Sequence, residues 1–113
     1  GDMLELGKFS EAEHKRIGAA VSKAADMLIT VGTLAKGIAD GALEAGMEKS
    51  KIFQFAEAKE AGKFLERQLQ AEDIILIKGS QSIRMEHIVE EIMLHPELKE
   101  KLLVRQEEEW QRR

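Results

Sequence analysis

The stretch Asp73-Ile74-Ile75-Leu76-Ile77-Lys78-Gly79-Ser80-Gln81-Ser82-Ile83-Arg84-Met85-Glu86-His87-Ile88-Val89 changes character halfway along. Ile74 to Ile77 form a continuous apolar, largely β-branched run, the pattern of a strand covered on both faces. Lys78 to Ser82 interrupt it with a cation, a glycine and two hydroxyls. From Met85 the apolar residues recur at Met85, Ile88, Val89, Ile92 and Met93, the spacing of a helix with one buried side. Strand, polar turn and helix in succession make the repeating unit of an α/β domain. The carboxyl end of a parallel strand, facing a helix amino terminus, is where such domains take ligands and favours an anion. Lys78, Gly79 and Ser80 stand at that point, either as part of a ligand site or as a structural turn. Arg84 is placed to hold a ligand carboxylate by two hydrogen bonds, or to pair with Glu86 or Glu90.

Outward from this stretch the same alternation repeats. Met27–Val31 reads as a second buried strand ended by Gly32, and Lys51–Phe55 as a third, shorter one. Between them, Thr33 can cap a helix that runs to Ala45 and stops at Gly46. Glu57–Gln70 is a helix presenting Ala58, Ala61, Leu65 and Leu69 on one side. Ser10-Glu11-Ala12-Glu13 has the form of a capping box, opening a helix to Ala25 with Ile17, Ala20, Val21 and Ala24 inward. Gly18 inside that helix costs roughly 1 kcal/mol relative to Ala, which points to close packing against a neighbour. The expected fold class is α/β, with a mostly parallel sheet built from right-handed crossovers. Gly1-Asp2-Met3-Leu4-Glu5-Leu6-Gly7 has no strand before it and reads like the exit of a first strand that is missing.

Composition narrows the function classes. At 113 residues the chain is one small domain or a piece of a larger protein. With 17 basic against 21 acidic residues its net charge is -4, contrary to a phosphate-tracking nucleic-acid binder. Cysteine is absent, so disulfide and thiol chemistry are excluded. No apolar run approaches the roughly 20 residues of a membrane span, and the amino terminus lacks a signal-peptide layout; a cytoplasmic domain is expected.

The chemistry-bearing residues are few. His14, His87 and His95 are the only histidines, and no pair has the spacing that offers two ligands to one metal. His14 follows the capping box near the Asp2–Gly7 loop, as either a packing histidine or a group supporting a site. Asp2 lies at the mouth of the inferred first strand, where a carboxylate can accept hydrogen bonds from ribose hydroxyls. No phosphate-binding Gly-x-x-x-x-Gly-Lys-Ser/Thr loop occurs. No catalytic residue is assigned within this chain.

Two blocks together carry a family resemblance. Gly1-Asp2-Met3-Leu4-Glu5-Leu6-Gly7, followed by Ser10-Glu11, His14 and Gly18, resembles the opening of the carboxy-terminal domain of UDP-N-acetylmuramoyl-tripeptide D-alanyl-D-alanine ligases, the MurF type of Mur ligase. Leu76-Ile77-Lys78-Gly79-Ser80, followed by Met85-Glu86 and Val89, resembles a second signature of the same domain; Thr30-Val31-Gly32 and Phe55-Ala56 also fit. Gln81 stands where many members have arginine, and Ile83 where many have methionine. The resemblance implies a Rossmann-like three-layer domain over residues 1–94, with residues 95–113 as a charged helical extension in which Leu98, Leu102 and Trp110 share a side.

It further implies ATP-dependent addition of D-alanyl-D-alanine to UDP-N-acetylmuramoyl-tripeptide in peptidoglycan precursor synthesis, through an acyl phosphate. ATP and Mg2+ would be bound mainly by a domain absent here, so this chain alone is expected to be inactive. By position, Asp2 would bind the nucleotide; Lys78, Gly79, Ser80 and Arg84 would face the dipeptide, with His14 behind them. No nucleic-acid partner and no membrane insertion are expected. A sheet without its first strand would leave the chain prone to self-association. The competing reading is a non-catalytic α/β binding module that engages a protein partner through its carboxy-terminal helix.

Overall fold

The computed structural model describes residues 1–93 and 108–112. Two parallel strands, β1 (Leu28–Val31) and β2 (Ile52–Phe55), pair in register from Leu28 opposite Ile52 to Val31 opposite Phe55. Around them lie α1 (Ser10–Ala24), α2 (Lys36–Glu44), α3 (Ala58–Gln68) and α4 (Glu86–Ile92), with a further short helix, α5 (Glu108–Gln111). The rest of the expected carboxy-terminal helix lies outside the described residues.

The core divides by strand alternation. Leu28 and Ile52 pack with Ile17 and Val21 of α1 and with Ala35, Ile38 and Ala42 around α2. Ile29, Val31 and Phe55 point the other way, toward Ala58, Ala61 and Leu65 of α3 and toward Met85 and Ile88 around α4. Successive strand side chains take opposite faces, so one small sheet is sandwiched between two helix pairs. This is the three-layer α/β arrangement expected from sequence.

Helices α1 and α2 meet almost backbone to backbone. A Cβ on Gly18 would stand 2.0 Å from the Ile38 carbonyl oxygen, and one on Gly41 would stand 2.1 Å from that of Lys15. Gly18 therefore marks close packing, as its position in a helix interior implied. On the outer surface Lys15 donates to Glu44 at 3.2 Å, and this ion pair holds the Lys15 ammonium above its ordinary pKa. An exposed pair of this kind adds little stability.

Several local expectations need correction. Ile74–Ile77 form no strand: Ile74 is 99% and Leu76 82% exposed. The run lacks a neighbouring strand among the described residues, and an extended segment needs a ladder partner to become part of a sheet. Ala20 and Ala24 are exposed, because the buried line of α1 passes through His14 and Gly18 instead. The Ser10 capping box is not made. A 3-10 turn over Gly7–Phe9 runs directly into α1, and the Ser10 hydroxyl turns to His14. Thr33 likewise makes no side-chain cap; α2 begins after a turn through Ala35.

Candidate functional site

The ends of β1 and of the Ile74–Ile77 run converge on the first four residues. The Gly1 ammonium donates to the Lys78 carbonyl at 2.8 Å, and the Ser80 amide donates to the Asp2 carbonyl at 2.9 Å. Ser80 also accepts, through Oγ, the Leu4 amide at 2.8 Å. Gly79 makes the approach possible: a Cβ there would meet Met85 Cγ at 2.7 Å and the Gly1 Cα at 3.3 Å. Burial pushes the pKa of the Gly1 ammonium down, outweighing the upward pull of Asp2.

On the opposite side Asp2 reaches the end of β1. Its Oδ1 accepts the Ala35 amide at 2.7 Å, and the residue is only 7% exposed. Gly32, at φ +104°, turns the chain around this carboxylate, and a Cβ on Gly32 would lie 2.4 Å from Oδ1. Only glycine serves here, on both conformational and steric grounds.

His14, 1% exposed, closes the third side. Its Nε2 accepts the Met3 amide at 3.0 Å, while Nδ1 lies 2.7 Å from the Ser10 carbonyl. A ring that accepts at Nε2 and meets a carbonyl at Nδ1 is the neutral tautomer with its proton on Nδ1. The amides of Met3 and Leu4 are thus both taken by side chains, and the loop continues through Glu5 at φ 64° and Gly7 at φ 57°.

Asp2, His14 and Ser80 are therefore brought together around one loop, with Lys78 and Gly79 along its edge. Lys78 itself is exposed, and its ammonium has no ion-pair partner among the described residues. Arg84 stands differently: it is 3% exposed, in the left-handed region at φ 54°, with its Nε donating to Glu86. Sequence reasoning overlooked Gly32 and Ala35 as partners of Asp2. The glycine closing an apolar strand was the available signal, but only the fold brings Asp2 across to it.

Chemically, this corner offers one exposed cation and a hydroxyl whose acceptor role is already occupied. Among the described residues no three His, Cys, Asp or Glu side chains stand together as a metal site, and no step is derived through a metal on this chain. No described helix is long and apolar enough to cross a membrane.

A Rossmann-like sandwich with a glycine-lined strand end agrees with the family comparison, in which residues 1–81 match the model described as Mur ligase, glutamate ligase domain. The chain belongs to that family. Among individual proteins, it is 36% identical over 97 residues to a UDP-N-acetylmuramoyl-tripeptide–D-alanyl-D-alanine ligase of Bacillus subtilis (strain 168). That match covers 85% of this chain and 21% of the relative, so the chain spans about a fifth of the relative's length. No solved structure matches this chain at a significant level.

Proposed function

We propose that this chain works as the carboxy-terminal domain of a peptidoglycan-precursor ligase that adds D-alanyl-D-alanine to UDP-N-acetylmuramoyl-tripeptide. The observation that carries the reading is the similarity to the Bacillus subtilis ligase over most of the chain. It includes the corner where Asp2, His14 and Ser80 are hydrogen-bonded together. In this chemistry ATP, with Mg2+, converts the tripeptide's terminal carboxylate into an acyl phosphate. The amine of the dipeptide then attacks the acyl carbon and phosphate leaves with the electrons of the broken C–O bond.

The residues of this chain bind and orient. Lys78, exposed at the end of the Ile74–Ile77 run, supplies positive charge toward the dipeptide carboxylate. Gly79 and Ser80 hold the backbone of that wall against Gly1 and Leu4. Arg84, paired with Glu86, fixes the turn that follows and lies on the same dipeptide side. Asp2 faces the nucleotide ribose from the β1 end, and His14 positions the loop carrying it. Closure over the rest of the enzyme would orient the amine and exclude water.

The test is kinetic, in the complete ligase. Lys78→Ala removes a hydrogen bond to a charged group, worth about 1.5–3 kcal/mol, so kcat/KM for D-alanyl-D-alanine should fall roughly 10- to 150-fold. KM for the tripeptide precursor should change little, and Lys78→Arg should retain an intermediate rate. Unchanged dipeptide kinetics in Lys78→Ala would remove Lys78 from the site. Absence of ATP-dependent phosphate release by the wild-type enzyme with both substrates would overturn the ligase reading.

A further inference from the structure

Between β1 and the Ile74–Ile77 run lies a trough of about 460 Å³. Its walls include Ile17, Val21 and Leu28 on the α1/α2 side, Ile29 and Met85 on the α3/α4 side, and Leu76 across the gap. We propose that this trough is a strand-acceptor site. It takes an extended apolar segment of a longer polypeptide running into Gly1, and that segment pairs in parallel with β1 on one side and Ile74–Ile77 on the other.

Four observations fix the occupant. First, Gly1 and Asp2 already lie between the two walls, bonded to Lys78 and Ser80 on one side and, through the Asp2 carboxylate, to Ala35 beyond β1 on the other. A chain running back from Gly1 passes Val31 and Ile77 and then Leu28 and Ile74. Second, the backbone of each wall offers an edge. The Gly32 amide donates to Phe55, and alternate residues of a strand aim their amide and carbonyl the same way. Thr30 and Leu28 therefore serve β2, whereas Ile29 and Val31 turn theirs to the trough. By the same alternation Leu76 shares the trough-facing edge of Lys78, whose carbonyl meets Gly1.

Third, apolar side chains lie above and below the gap. A strand inserted there has both faces covered, which calls for a continuous Val/Ile/Leu-type run rather than an alternating one. Four residues at about 3.3 Å each would match the length of β1. Fourth, the exposure of Ile74 and Leu76 is that of a wall without its neighbour. The inserted strand would lie centrally in a four-stranded parallel sheet, leaving β2 at the edge.

The experiment compares this chain with the same chain carrying Val-Ile-Val-Ile-Val directly before Gly1, and with a Gly-Ser extension of equal length. Amide hydrogen exchange is read residue by residue. With the apolar extension, exchange at Ile29, Val31 and Leu76 should slow at least tenfold, while Ile52 and Gln54 on the outer edge of β2 stay unchanged. The Gly-Ser extension should leave all five as they were. Leu76→Asp, an exposed position in the unextended chain, should leave that chain's thermal midpoint in place and abolish the gain from the apolar extension.

Protection confined to Ile52 and Gln54 would place the added strand on the outer edge and overturn the proposal, as would no change at any of these amides. Protection of Ile29, Val31 and Leu76 already present in the unextended chain, rising with concentration alongside a dimer in sedimentation, would make a second copy the occupant. That result would also overturn it.

Discussion

His14 joins three pieces of backbone that local structure alone leaves separate: the Met3 amide, the Ser10 carbonyl and the first turn of α1. Its contribution divides into buried volume and a hydrogen-bond acceptor. His14→Ala would lose both and should destabilise the chain by about 2–4 kcal/mol, read as a lower denaturant midpoint with unchanged slope. His14→Phe separates the two. It keeps a ring but leaves the Met3 amide without its acceptor, at a cost of roughly 1–3 kcal/mol. A His14→Phe chain as stable as wild type would show that the ring only fills space. The sequence placed His14 near the Asp2–Gly7 loop because both flank the start of α1. It did not disclose the bond to Met3, because that depends on the loop folding back through Glu5 in a left-handed conformation.

At the scale of elements, α1 and α2 illustrate a glycine whose helix cost is outweighed by contact. Gly18→Ala would gain roughly 1 kcal/mol of helix propensity. Its new methyl would collide with the Ile38 carbonyl, backbone that cannot swing aside. Overpacking of this kind typically costs 1–3 kcal/mol and occasionally more, so a net loss of about 1–2 kcal/mol in thermal or denaturant unfolding is expected. A stabilised Gly18→Ala variant would mean that the helices can separate freely. β1, β2 and the helices were legible because each announces itself by local periodicity, and their boundaries moved by only a residue or a few. Ile74–Ile77 was legible in another sense. Its composition reports burial on both faces, yet composition describes the setting a segment is suited to and cannot supply the neighbour. The site was legible as two separate blocks; the hydrogen bonds from Ser80 to Asp2 and Leu4 are what make them one corner.

For the whole molecule, the consequence is an imbalance between a well-packed half and an open one. The β1–β2 pair is covered by helices on both faces, whereas Ile74 and Leu76 place apolar side chains in water beside an unpaired backbone edge. Apolar area in contact with water favours association by about 25 cal/mol per Å² removed, and an open strand edge gives that association a direction. The chain should therefore show concentration-dependent self-association in sedimentation velocity. Ile74→Lys with Leu76→Lys should shift it to monomer, because two cations on one segment oppose burial and repel their counterparts across an interface. The α3/α4 core should be untouched by these changes, since neither side chain enters it, so the thermal midpoint at low concentration should hold. If the doubly substituted chain associates as strongly as the parent, the contact lies elsewhere on the surface. If the parent is monomeric at every concentration tested, the exposed run is tolerated by water despite its composition.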